Sequence, residues 1–377
     1  MVPLKTLEYF AQRQNLIIET ISEIVEIESP SCDAERSRAV MLWVENEARK
    51  TGVDLEIEKV PAEEYGEHLI IRAFSGEGKP VLLLGHTDTV HPVGTKLANP
   101  TRIDGNRFYG CGIFDMKANI ILMLEALRYF AASGEIPARP ITILLSCDEE
   151  VGSYTGRPLV EAEALKSEFC LVFEPSSAGR IKTGRKGTGM FVLKAHGIPA
   201  HAGLEPEKGA SAILELARQI EKIHSLNDPE IGTTANVCVI KGGTTSNVIP
   251  ENAECSVDVR FSTMEEAARI EADVKNLTPF DSRVTLQVIG GINRPPMERT
   301  DSVIALYNKG KDIAAGFGYE LGETQVGGAS DGNFVGALGV PVLDGLGISG
   351  DGAHTLYEHI LLDDIANRAT LVTMMLT

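Results

Sequence analysis

The chain has 377 residues, 43% hydrophobic and 23% charged, proportions of an ordinary globular protein that exclude disorder, collagen-like repeats and a disulfide scaffold. At about 150 residues per domain, this length points to two domains or more. Lys and Arg number 35 against 53 Asp and Glu, a net charge of −18, which repels polyanions and so excludes nucleic acid and anionic membranes as expected partners.

The first residues, MVPLKTLEYFAQRQNLIIET, mix charges into their apolar positions and lack the basic start and unbroken apolar stretch of a secretory signal, so a cytoplasmic protein is expected. No apolar run approaches the roughly 18 residues of a membrane-spanning helix. Three fully apolar runs then follow, VLLLGH at 81–86, ITILLSC at 141–147 and FCLVFE at 169–174, with a helical pattern over 115–132. Apolar runs separated by helices predict a mostly parallel sheet with helices on both faces, an α/β class.

From about Gly187 the pattern changes to strands of alternating character: 190–197, 235–242, 253–261 and 284–291. Helices over 207–224 and around Ala267, Ile270, Val274 and Leu277 complete a β-α-β-β-α-β order. That order predicts a ferredoxin-like α+β unit at 187–291, inserted into a larger domain formed by 1–186 and 292–377. The larger style resumes with a helix over 300–317 and the strand-like VPVL at 340–343. Six scattered cysteines without CxxC spacing, several inside apolar runs, read as reduced, mostly buried thiols.

Residues able to bind metal fall just after predicted strands: His86, Glu149 and Glu150, Glu174, and His354. Ligands of open α/β sheets bind beyond the carboxyl ends of the strands, so these residues are candidates to converge. In the H-x-D pair of His86 and Asp88, residues two apart in extended chain share a side, which lets the carboxylate hold the imidazole's second nitrogen. The same pair also reads as a strand-end turn. Asp115, between a Gly-rich turn and a helix, is a candidate ligand or an N-cap. The stretch GCGIFD lacks the third glycine of a dinucleotide loop. Of the adjacent acids Glu149 and Glu150, one can bind metal while its neighbour faces a substrate water, unless both are solvated loop residues. Glu174, before Pro175, carries a charge that burial would make costly without a cation.

Taken together, GHTDTV (85–90), GCGIFDMK (110–117), SCDEEVGS (146–153), FEPS (173–176), AHAG (200–203) and GDGAHT (350–355) resemble the aminoacylase/carboxypeptidase zinc metallopeptidases. That family includes glutamate carboxypeptidases, acetylornithine deacetylase and succinyl-diaminopimelate desuccinylase, and the likeness runs from about residue 7 to the end. The resemblance implies a dizinc exopeptidase fold whose inserted unit is a lid and dimerisation domain. It implies two zinc ions per subunit, with His86 and Glu174 on one, Glu150 and His354 on the other, and Asp115 bridging. Cobalt or manganese suits the same donors. It further implies Glu149 as general base, a cis Asp115–Met116 peptide, and a homodimer in which His201 reaches the neighbouring subunit's site. Lys182, Asn247 and Arg294 match positions that grip substrate carboxylates, Arg260 serving those, the sheet or the interface, and the inserted unit is expected to turn at junctions near 184–187 and 291–294. Glu174 stands where the family's peptidases often have Asp and its deacylases Glu, and DMKAN replaces the commoner DMKGG. The activity expected is metal-dependent amide hydrolysis releasing a C-terminal amino acid, glutamate first. An N-acyl-amino-acid deacylase is the close alternative and a non-catalytic binding protein the remote one.

Overall fold

The structure, a computed structural model, describes residues 2–377. The chain divides into two compact units, one formed by 1–184, 299–325 and 330–377, the other by 185–298 with the short segment 326–329.

The first unit is built on a six-stranded mixed sheet, in the order Leu55–Pro61, Glu67–Ala73, Ile141–Ser146, Val81–His86, Phe169–Val172, Val342–Leu343. The last four run parallel. The first two form an antiparallel edge that the sequence reading leaves out, because charges at 55–61 break any apolar run. Every residue of Val81–His86 and of Ile141–Ser146 is buried, as strands covered on both faces require. Val81, Leu83, Ile143 and Leu171 join a core with helices Val2–Val25, Ala118–Ser133 and Ile365–Met375. Their alternates Leu82, Leu84, Leu144 and Cys170 are equally buried, on the face where helices Arg157–Lys166 and Gly332–Ala337 pack. Helix Ala118–Ser133 is apolar on nearly all sides, so it can exist only in the interior.

The second unit is a four-stranded antiparallel sheet in the order Thr234–Gly242, Asn252–Phe261, Gly187–His196, Thr285–Arg294. Helices Ala212–His224 and Met264–Lys275 cover one face, where Phe191, Leu193, Val257 and Val259 meet Leu216, Ile223, Ile270 and Val274. Thr263 starts the second helix by accepting a hydrogen bond from the Glu266 amide. All six cysteines are free; Cys32 and Cys238 are exposed and the other four buried. Among the described residues, no helix is long and apolar enough to cross a membrane.

Candidate metal centre

The parallel register sets three chain exits at one level, with His86 beside Ser146 and Leu84 beside Val172. His86 therefore ends its strand next to the turn that carries Glu149 and Glu150, while Glu174 leaves the neighbouring strand on the other side. Gly85 makes room for this arrangement: a Cβ there would lie 2.3 Å from Met116 Cε, and the Met116 sulfur accepts the His86 amide.

Asp115 joins the same cluster from a loop whose backbone departs from helical angles at Asp115 and Met116, with a cis peptide between them. Its carboxylate splits between two imidazoles. Oδ1 lies 3.2 Å from His86 Nε2, and Oδ2 lies 3.4 Å from His354 Nε2. His86 Nε2 also lies 3.4 Å from Glu174 Oε1, and His354 Nε2 lies 3.1 Å from Glu150 Oε2. Donor atoms of His86, Glu149 and Glu174 all fall within 4.8 Å of one another, as do those of His86, Asp115 and Glu150. His354 stands in the left-handed region at φ 65, a conformation that costs a non-glycine residue about 1–2 kcal/mol and that a Gly352–Thr355 turn holds in place.

One alternative for Asp115 falls away here, and the expectation for Asp88 is corrected. Asp115 does not cap the following helix, whose N-cap is Lys117, because its carboxylate is turned toward the two histidines. The Asp88 carboxylate is not the main partner of the His86 ring: Nδ1 sits 3.0 Å from the Asp88 carbonyl oxygen and 3.5 Å from its carboxylate. The carboxylate's shorter contacts are with the Ser31 hydroxyl, from which it accepts at 2.7 Å, and with the Glu149 and Glu150 amides at 3.2 and 3.1 Å. One buried acid thus aligns both the imidazole and the turn bearing the paired glutamates.

The cluster is rich in negative charge and its histidines respond. Burial opposes a charged His86, yet the Asp115, Asp88 and Glu174 carboxylates facing its two ring nitrogens raise its pKa well above the usual value. Asp115 and Glu150 pull His354 up to about 10, and burial lifts Glu150 to about 7. The Glu150 Oε1 atom is buried with no protein hydrogen-bond partner. Two imidazoles and several carboxylates drawn around a centre short of positive charge, with an orphaned carboxylate oxygen, fit divalent cations.

The remaining candidates are placed as follows. Lys182 is buried on strand Ile181–Arg185, and its backbone pairs with Asp344. In the second unit, His201 and Asn247 lie together, since the Ala202 amide donates to the Asn247 carbonyl at 2.9 Å. Arg294 ends strand Thr285–Arg294 opposite Thr188 and is buried. The His201 ring is exposed, and its Nδ1 accepts from the Gly203 and Leu204 amides, which places the ring proton on Nε2. Arg260 makes a two-point ion pair with Asp258 on its own strand.

Sequence reading missed Glu358, which accepts from the Gly112, Phe114 and Asp115 amides and from His91. It also missed the group of buried His68, half-buried Thr155 and buried Asp148, joined through the Thr155 hydroxyl next to the glutamate turn. Nothing in TLYEHI distinguishes Glu358 from a surface acid; its partners come from a loop that is distant in sequence.

A family model described as peptidase family M20/M25/M40 matches residues 82–377. The chain belongs to this family. Carboxypeptidase G2 of a Pseudomonas species is 30% identical over 350 residues, covering 91% of this chain and 84% of that protein. Succinyl-diaminopimelate desuccinylase of Paracidovorax citrulli is 31% identical over 322 residues, covering 78% and 80%. The crystal structure of aminopeptidase PepT from Bacillus cereus shares the fold with a TM-score of 0.78 at 22% identity, over 96% of this chain and 98% of its own. As an M20 member the chain is a hydrolase of amide bonds, an exopeptidase or an N-acyl-amino-acid deacylase.

Proposed function

We propose that this chain is a dizinc exopeptidase that releases a C-terminal amino acid, glutamate first among them, from peptides or N-acyl conjugates. The observation that carries the reading is the convergence of six donor residues, His86, Asp115, Glu149, Glu150, Glu174 and His354, among which Glu150 keeps a buried oxygen with no protein partner. His86 and Glu174 are assigned to one ion, Glu150 and His354 to the other, and Asp115 to both, since its two oxygens face different imidazoles. When bound, two such ions would polarise the scissile carbonyl and raise the acidity of water at neutral pH.

The chain's own residues do the rest. Glu149, 8% exposed, takes the proton of the attacking water on a carboxylate oxygen and returns it to the leaving nitrogen. The Asp88 carboxylate holds the Glu149 amide and so sets where that base points. His201 of a neighbouring subunit donates from Nε2 to the oxyanion, which makes the active form a homodimer assembled through the inserted unit. Lys182, Asn247 and Arg294 are assigned to the substrate's carboxylates, a planar guanidinium for two-point binding and a lysine for a point charge. Zinc is the assigned metal, and six free cysteines agree with a cytoplasmic location.

A second reading, an N-acyl-amino-acid deacylase using the same residues, is favoured by Glu174 and by the likeness to a desuccinylase. Release of free amino acid separates the two. The panel is peptidyl-glutamate, γ-glutamyl and benzoyl-glutamate conjugates, N-acetyl-ornithine and N-succinyl-diaminopimelate, with zinc and then with chelator. Chelator-sensitive glutamate release supports the exopeptidase. Turnover confined to the acetyl or succinyl compounds makes the protein a deacylase.

A further inference from the structure

Four residues beyond His354, the Glu358 side chain is fully buried, 0% exposed, and its carboxylate serves the loop that carries Asp115. Oε1 accepts from the Phe114 and Asp115 amides, both at 2.9 Å. Oε2 accepts from the Gly112 amide at 2.8 Å and faces His91 Nε2 at 2.7 Å. Because the backbone at Asp115 and Met116 leaves the helical region, regular helix geometry cannot pair all the amides of this loop, and Glu358 supplies the acceptor.

A second side chain ties the same two segments from the other direction. Asn119 donates to the Phe114 carbonyl at 3.1 Å and accepts the Ile348 amide at 2.9 Å. Gly347 leaves the space: a Cβ there would lie 2.3 Å from Asn119 Nδ2. The Asp115 loop and the 348–358 segment that presents His354 are thus joined by one carboxylate and one carboxamide. Between them Asp115 Oδ2 meets His354 Nε2 at 3.4 Å.

We propose that Glu358, with Asn119, is a positioning residue that fixes the bridging carboxylate of Asp115 and the imidazole of His354 as one rigid pair. The inference rests on the metal-centre reading above. Removing the acceptor frees three amides at once, and Asp115, which offers an oxygen toward each ion, loses its fixed aim. Both ions bind less tightly, and the ion assigned to Glu150 and His354 suffers more, because two of its three ligands ride on the tied segments. Partners that orient metal ligands are worth roughly 10–100-fold in affinity, and that is the loss expected for the weaker site.

Stepwise zinc titration of the metal-free full chain, by calorimetry and chelator competition, tests this on wild type, Glu358→Gln and Asn119→Ala. Cobalt loading and thermal melting accompany each titration. The carboxamide of Glu358→Gln keeps the shape but presents hydrogens to amide donors, whereas Asn119→Ala leaves the carboxylate in place, so one variant reports if the other fails to fold. Expected is a roughly 10–100-fold weaker second site, an altered cobalt absorption spectrum and a smaller metal-induced rise in melting temperature. A merely structural role would lower the metal-free melting temperature while both zinc affinities and the cobalt spectrum stayed wild-type, and that result overturns the proposal. Wild type binding fewer than two ions per chain would instead overturn the metal-centre reading, and the proposal with it.

Discussion

Replacing Asp88 by Asn tests how the site is held together. The native carboxylate serves four groups: Ser31 and the Glu150 amide on Oδ2, the Glu149 amide on Oδ1, and His86 Nδ1 at 3.5 Å. Asn keeps one acceptor oxygen and turns an NH2 toward the other side. The Ser31 hydroxyl can rotate and accept, but a backbone amide cannot, so in either orientation one glutamate amide loses its acceptor. A buried donor left unpaired costs about 1–3 kcal/mol, and at about 1.4 kcal/mol per tenfold this is roughly a five- to hundredfold effect on whatever depends on the turn. Both Glu149 and Glu150 sit there, so zinc affinity and kcat/KM should fall together by about that factor. Calorimetric zinc titration beside steady-state kinetics measures both. If the Asp88→Asn protein binds zinc and turns over within twofold of wild type, the hydrogen bonds to this turn do not position the site, and the reasoning fails.

Glu149→Gln should retain metal while turnover falls by about 10²–10⁴, as removal of a proton shuttle predicts; metal loss in that variant would mean that the paired acids are assigned the wrong way round. His354→Ala should cost one of the two ions and leave the other measurable by metal analysis, whereas loss of both or of neither contradicts the assignment. His201→Ala should slow kcat with little loss of metal, and an unchanged kcat would remove the oxyanion role. Burial lowers the pKa of His68, whose Nδ1 accepts the Cys147 amide and whose Nε2 faces Thr155, while Asp148, Asp331 and Asp88 oppose the shift. A depressed folded pKa keeps the stabilising contribution whole above the unfolded value of 6.5 and loses it as pH falls below, where the unfolded chain takes up the proton first. In urea unfolding of metal-free protein, the advantage of wild type over His68→Gln should therefore shrink between about pH 7.5 and about pH 5.5. An advantage that grows on acidification would show that the folded state favours the charged ring.

The strands that carry the cluster were legible because an unbroken apolar run such as VLLLGH or ITILLS can be satisfied only by burial on both faces. The β-α-β-β-α-β pattern was legible for a related reason: alternating burial along Gly187–His196 and Asn252–Phe261 writes a period of two into the sequence. The antiparallel edge at 55–73 was not legible, because in Leu55–Pro61 charged residues interrupt the apolar ones and resemble a surface segment.

Local sequence also nominated the donor residues, since acids and histidines ending apolar strands are expensive unless something pairs with them. It could not say how they are aimed. The use of Asp88 on the glutamate turn, the departure of Asp115 from helical geometry and the gathering of three loop amides by Glu358 join positions up to 246 residues apart. Hydrophobic periodicity records which face of an element is buried, and so the sequence alone determined the buried strands of the first unit, the β-α-β-β-α-β order of the second and the types of donor. The direction of each side chain depends on groups brought by other segments, and only the tertiary structure decided that.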